Sequence, residues 1–238
     1  MSDQPACCGL THTKAVEDAR RTIFVRSGRG EPVSTSALAS HLGLTPPTVS
    51  TMLKRLTEHG LLQRADDHRA LLTPHGRRHA QEVVRRHRLL ETFLVTVLDL
   101  TWDEVHDEAD VLEHAVSDRL VDRIDEVLGH PTRDPHGDPI PPPAGRHDEG
   151  WHDESWHDES WGVRLDTVAT GSRFRVERVY DRDSAALRYL ARLGVRPGVT
   201  IEVGERSPFG GPLWIELNGQ RCALGDPLVC LVHGREER

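Results

Sequence analysis

The sequence predicts a mainly α-helical protein that opens with a winged helix-turn-helix and closes with a small β-rich domain. Three observations carry this reading. Two short capped helices meet at a tight glycine turn and lead into paired apolar runs. Two long stretches in the middle repeat apolar residues at helical spacing. The last third alternates short strand-like segments around an Asn218-Gly219 turn.

From Thr13 to Arg26, Ala15, Ala19 and Ile23 recur at helical spacing, and Gly28, Gly30 and Pro32 end the helix. "STSALASHLG" gives a short helix with Ser34 as cap and Gly43 as stop. In "LTPPTVSTMLKRLTEHGLL" Thr45 caps the next helix, and Pro46 and Pro47 fall in the first turn, where no amide donor is missed. Val49, Leu53 and Leu56 share its buried face. "LLQRADDHRALLTPHG" then sets two apolar runs about a polar turn, the pattern of a hairpin wing. Such a unit directs the N-terminal part of its second helix into a DNA major groove. Thr45, Pro47, Thr48, Ser50 and Thr51 are therefore candidates to meet bases or phosphates, with Lys54, Arg55 and Arg69 near phosphates.

A net charge of -8 argues against nucleic acid as a partner until it is located. Residues 101–128 hold ten acidic and two basic side chains, whereas residues 1–75 hold nine Lys or Arg against seven acids. Charge is segregated along the chain, so the total does not describe the part expected to face DNA. No apolar run approaches the roughly 20 residues that span a bilayer, and the N-terminus lacks a basic region followed by an apolar one. A cytoplasmic protein without a membrane partner is expected.

Residues 75–98 and 101–128 read as two long helices separated at "DLTWDE", where Thr101 caps the second. The stripe formed by Val83, Val84, Leu89, Leu90, Phe93, Leu94 and Val97 is wide for one helix, which points to a second subunit and a homodimer. From His130 to Gly162 the composition turns to Pro, Gly, His and acid, which reads as a linker. It includes three HDE(G/S)W units at 147–161, where ligands on flexible chain lose ordering entropy on binding; they read as spacer.

Cys7, Cys8, Cys222 and Cys230 form no C-x-x-C pair, so metal chemistry here rests on nitrogen and oxygen donors. His106, Asp110, Glu113 and His114 stand at i, i+4, i+7 and i+8 on the second long helix, and His87 and Glu91 repeat an i, i+4 pair on the first. Asp18 is a further carboxylate. Spacing alone leaves two readings open, a solvated acidic face and a metal site. A site of this composition favours Mn(II) or Fe(II), with Zn(II), Co(II) or Ni(II) as competitors in vitro. "VHDEAD" also echoes metal-dependent phosphohydrolases, but no distant second His/Asp set accompanies it, and no enzyme is expected. A regulator with an organic ligand is the other alternative.

"PPTVSTMLKRLTEHGLL", "LTPHGRRHAQEVVRRHRLLETFL" and "VHDEADVLEHAVSD" resemble the recognition helix and metal-site helices of the iron-dependent repressor family of metalloregulators. "LARLGVRPGVTIEV" resembles the SH3-like (FeoA-like) third domain of its longer members. The resemblance implies an ancillary metal site at His87, Glu91 and His106, and a primary site at Asp18, Asp110, Glu113 and His114. Iron-sensing members carry Met and Cys where this chain has Asp18 and Asp110. Carboxylates there harden the site and favour Mn(II). Asp183 is the third-domain carboxylate that aligns with a further ancillary ligand, although its amide companion falls on Ala186. The expected domains are 10–74 (winged helix-turn-helix), 75–145 (helical, metal-binding and dimerising), 146–162 (repeat linker) and 163–238 (SH3-like). The implied function is a Mn(II)-activated repressor binding double-stranded operator DNA, with an Fe(II)-responsive repressor as the alternative.

Overall fold

The computed structural model describes residues 13–28, 31, 33–64, 69–143, 162–181 and 183–237. The HDE(G/S)W repeats, Cys7, Cys8 and the tip of the wing lie outside these. The described residues divide into two compact units, one of those within 13–87, 113–121 and 141–143, the other of those within 88–112, 122–140 and 162–237.

In the first unit, α1 (Lys14–Gly28), α2 (Thr35–Leu42) and α3 (Pro46–Glu58) precede an antiparallel ribbon, β1 (Leu62–Arg64) with β2 (Ala70–Leu72), which pairs Leu62 with Leu72. The sequence encodes the helix boundaries locally. Ser34 Oγ accepts from the Ala37 amide at 3.2 Å, and Thr45 Oγ1 from that of Thr48 at 3.4 Å. Gly43 ends α2 with φ +63°, a left-handed conformation that glycine adopts without strain. Ala19 and Ile23 of α1, Leu38 of α2 and Val49, Leu53 and Leu56 of α3 form one core, each 0–3% exposed. Packing at that density makes the three helices move together. Pro47, Thr48, Ser50, Thr51, Lys54 and Arg55 remain exposed on α3, as does Arg69 before β2.

α4 (Pro74–Leu98) is the long helix expected from the sequence, and the unit boundary falls within it. The second long helix is broken. α5 spans Val105–Leu112 and α6 spans Asp118–Val127, with Glu113–Ser117 as a turn between them. The reason is local: Ser117 accepts the Leu120 amide through both its carbonyl, at 2.9 Å, and its hydroxyl, at 3.3 Å, so α6 has its own cap. His106 and Asp110 thus lie on α5, while Glu113 and His114 lie in the turn.

The second unit holds a six-stranded sheet in the order β3-β8-β4-β5-β6-β7. The strands are β3 (Val163–Arg164), β4 (Arg173–Val179), β5 (Thr200–Arg206), β6 (Leu213–Leu217), β7 (Gln220–Leu224) and β8 (Val232–Glu237), with α7 (Ser184–Leu193) and α8 (Asp226–Val229) between them. Asn218 and Gly219, at φ +53° and +76°, close the β6–β7 hairpin as the sequence predicts. Phe174, Val176, Leu187, Leu190 and Ile201 are fully buried in its core, which Trp102 joins.

Residues 131–140 were read as linker, and the structure corrects this. Arg133 pairs with Pro139, the Asp134 amide donates to the Asp138 carbonyl at 2.9 Å, and the Val179 amide donates to the His136 carbonyl at 2.9 Å. Pro and Gly shape a tight loop here, and Asp134, His136 and Asp138 are buried in it, each held by at least one partner inside the unit.

Candidate metal centre

In the first unit, α1 and the turn after α5 bring Asp18, Glu113 and His114 together, with one ligand-type atom of each within 4.8 Å of the others. His114 Nε2 lies 2.9 Å from Asp18 Oδ1 and 3.3 Å from Glu113 Oε1. Its Nδ1 lies 2.6 Å from Glu17 Oε2, a carboxylate that sequence reasoning missed although it adjoins Asp18. Glu113 is fully buried, and its carbonyl accepts from Arg86 Nη1 at 3.2 Å. Burial pushes the Asp18 carboxyl up, against the opposing pull of His114 and Arg21. His87 Nδ1 lies 2.7 Å from Glu113 Oε2. Asp110, half-buried on α5, belongs to the other unit.

In the second unit, Glu91 of α4, His106 of α5 and Asp181, just past β4, form another group. His106 Nδ1 lies 3.1 Å from Glu91 Oε1 and 3.4 Å from Asp181 Oδ2. Asp183, the residue expected from alignment, instead caps α7, its Oδ1 accepting from the amides of Ala185 and Ala186 at 2.9 and 3.0 Å. A helix-capping Asp just before "SAALRYL" was legible in the sequence. Glu91 also belongs with Asp134 and His136, both from the loop misread as linker. "DPHGD" carried the signal: three ligand-type residues at alternate positions of one short loop.

The geometry at His136 suits a cation. The residue is fully buried, and its Nε2 lies 2.6 Å from the Trp102 carbonyl, which can only accept. Nε2 therefore carries a ring hydrogen, and Nδ1 is the nitrogen that faces Glu91 and offers its lone pair once its own proton is displaced. Nδ1 has no hydrogen-bond partner among the described residues, and Glu91 Oε2 stands 3.9 Å away, a separation that a shared ion spans. Asp134 is oriented as a ligand by its own loop: its Oδ1 accepts from the amides of His136 and Asp138 at 2.9 and 2.8 Å. Arg178 Nε, 2.7 Å from Asp138 Oδ1, balances the neighbouring charge.

Titration of this group has a defined sign. Burial opposes charge on His106, but hydrogen bonds to Asp181 and Glu91 outweigh it and push the ring up to about 11. Burial likewise opposes charge on His136, and Glu91 pushes it up to about 10. Burial, Asp138 and Glu91 push Asp134 up to about 8. Because both histidines titrate above their ordinary 6.5, their charged forms stabilise the metal-free unit fully below that pH. This contribution is lost as pH rises through about 10 and 11. A divalent ion held by this group would have to displace these protons. Its affinity here is expected to strengthen about tenfold per pH unit for each proton released, so by at least about 100-fold from about pH 6.5 to 8.5. Calorimetric Mn(II) titrations in matched buffers check this, and a pH-independent affinity contradicts it.

Comparison with known proteins matches three family models in chain order: the iron-dependent repressor N-terminal DNA-binding domain (residues 12–70), the iron-dependent repressor metal-binding and dimerisation domain (73–142) and the FeoA domain (163–235). The chain is 36% identical over 201 residues to the iron-dependent repressor IdeR of Mycobacterium leprae, covering 82% of this chain and 85% of that one. It is 38% identical over 214 residues to the diphtheria toxin repressor of Corynebacterium diphtheriae, covering 88% and 91%. A solved manganese-dependent transcriptional repressor in complex with manganese is 38% identical and covers 93% of this chain and 100% of its own, with a TM-score of 0.81. The manganese regulator SloR, 30% identical, gives 0.74 over 96% and 100%. No described helix is long and apolar enough to cross a membrane. With a winged helix-turn-helix, clustered nitrogen and oxygen donors and this run of matches, the chain belongs to the iron-dependent repressor family: it is a metal-dependent DNA-binding transcriptional repressor.

Proposed function

We propose that the chain is a homodimeric repressor activated by Mn(II), acting in the cytoplasm on operators of metal-homeostasis genes. The observation that carries this reading is the 2.9 Å approach of Asp18, on a helix of the DNA-binding part, to His114, in the turn between α5 and α6. Asp18, Glu113 and His114 would hold the regulatory ion, and the family resemblance adds Asp110. Glu91, His106, Asp134, His136 and Asp181 would hold a second. A bound divalent ion supplies the positive charge that these carboxylates lack. All donors are nitrogen or oxygen, and Asp18 stands where iron sensors carry a thioether, which lowers the penalty for Mn(II) at the weak end of the affinity order.

The chain's own residues do the rest. Asp18 is adjacent to Ala19, which is locked in the core shared with α2 and α3, so holding Asp18 at Glu113 and His114 fixes the orientation of α3. The exposed Thr45, Pro47, Thr48, Ser50, Thr51, Lys54, Arg55 and Arg69 then face bases and phosphates. Val97, Leu98, Val111 and Val127, all at least 46% exposed, suit a subunit interface. Residues 10–74, 75–145 and 163–238 serve as DNA-binding, metal-binding and SH3-like parts.

An anaerobic titration of operator affinity against free Mn(II), Fe(II), Co(II), Ni(II) and Zn(II), after chelation, tests the reading. Mn(II) is expected to restore binding by about 5- to 150-fold. Names of the curated relatives favour an Fe(II)-responsive repressor instead, and activation by Fe(II) alone at matched free concentration would establish that.

A further inference from the structure

The start of α4 carries a donor set that the two metal groups leave unused. His75, His79 and Glu82 stand at i, i+4 and i+7, so they share one face of the helix. The rings of His75 and His79 lie 4.8 Å apart between centroids and nearly perpendicular, and His79 Nδ1 lies 3.5 Å from Glu82 Oε2. With bonds of about 2.0 to 2.2 Å, two ligand atoms on one tetrahedral zinc ion stand about 3.4 Å apart, and two imidazole centroids about 5 Å. Both observed separations are close to these values. Two histidines at i and i+4 are also the pairing by which a single helix face grips zinc.

The backbone beneath these residues is fixed. Thr73 Oγ1 accepts from the Gly76 amide at 3.0 Å and donates to the Gly60 carbonyl at 2.6 Å, and the Thr73 amide donates to the Leu61 carbonyl at 3.0 Å. Gly76 approaches Leu61 so closely that a Cβ there would stand 1.9 Å from the Leu61 carbonyl oxygen. A platform ordered beforehand lowers the entropic cost of binding. Partial burial, His79 and Arg78 push the His75 ring down, so its lone pair is available at neutral pH. Arg20, Arg78 and Arg86 lie within electrostatic reach and oppose any cation. Only an ion with a strong preference for imidazole overcomes them. Two of the three donors here are imidazoles, against one of three at Asp18, Glu113 and His114, and imidazole suits Zn(II) where carboxylate suits Mn(II).

We propose that His75, His79 and Glu82 form a Zn(II) site at the start of α4, with a coordination position left open to water. The site follows the wing strand β2 directly in the chain and contains no residue of α1 or of the turn after α5. An ion held there leaves the contact of Asp18 with His114 unchanged, so it does not activate the repressor.

The test counts Zn(II) and Mn(II) bound per chain of the full-length protein by equilibrium dialysis and elemental analysis. The double variant His75→Ala, His79→Ala is expected to bind one Zn(II) per chain fewer than wild type, with the Mn(II) count and Mn(II)-dependent operator binding unchanged. Glu82→Ala is expected to weaken that Zn(II) about tenfold or more. If the double variant lacks native circular dichroism, His79→Gln carries the same test. A natively folded variant with the wild-type Zn(II) count overturns the site, as does a difference that emerges only above about 1 mM free Zn(II). A Mn(II) count that falls together with that of Zn(II) overturns its separateness, and unchanged Zn(II) affinity in Glu82→Ala overturns the three-donor assignment.

Discussion

Asp18→Ala is expected to abolish metal-dependent operator binding while leaving the protein folded. The side chain is 21% exposed, burial pushes its carboxyl up, and it contributes no apolar contact to the core, so its loss should change stability by no more than about 0.5 kcal/mol. Its regulatory role is different in kind. A ligand shifts an equilibrium only by its differential affinity for two states, and for coupled sites this is about 1 to 3 kcal/mol. Removing the α1 carboxylate that meets His114 Nε2 removes that difference, so operator affinity with Mn(II) should fall about 5- to 150-fold, to the chelated level. Fluorescence anisotropy on operator DNA with and without chelator measures this, alongside thermal unfolding. A variant that still gains affinity on adding Mn(II) would falsify the coupling through α1.

Gly137→Ala is expected to produce the largest loss of stability. Gly137 has φ +91°, and a Cβ placed there would stand 1.9 Å from the Glu177 carbonyl oxygen and 2.9 Å from the Arg178 Cα. Both are backbone of β4, which cannot retreat like a flexible side chain. Strain at this backbone conformation and forced displacement together cost about 2 to 5 kcal/mol. The substitution should also push Asp134 and His136 away from Glu91, because the loop carrying them lies against β4 through the Val179 amide. Urea unfolding and Mn(II) stoichiometry report the two effects separately. Native stability together with native metal content would show that the loop is not fixed by this approach.

The parts of the molecule built by local rules were open to reading in the sequence. Ser34, Gly43 and Thr45 bound their helices through side-chain caps and a left-handed glycine, and Asn218-Gly219 closes its hairpin, each within a few residues. The donor types were likewise visible as His and carboxylates at helical spacing, although spacing alone left a solvated face open as well. Where a local rule was overlooked the reading failed: Ser117 caps α6 and splits the second long helix.

By itself the sequence determined the fold class, the capped helices that make the DNA-binding part, and a donor set of nitrogen and oxygen without thiolate pairs. Tertiary structure alone decided which donors meet. Glu17 lies 97 residues from His114, Asp181 lies 75 from His106, and Glu91 lies 45 from His136, and no periodicity connects such positions. These pairs are set by how α1 packs on its neighbours in the first unit and by how the 131–140 loop is held to β4 in the second. Burial then gives the encounters their chemistry, since carboxylates withdrawn from water must find a proton, an arginine or a metal ion.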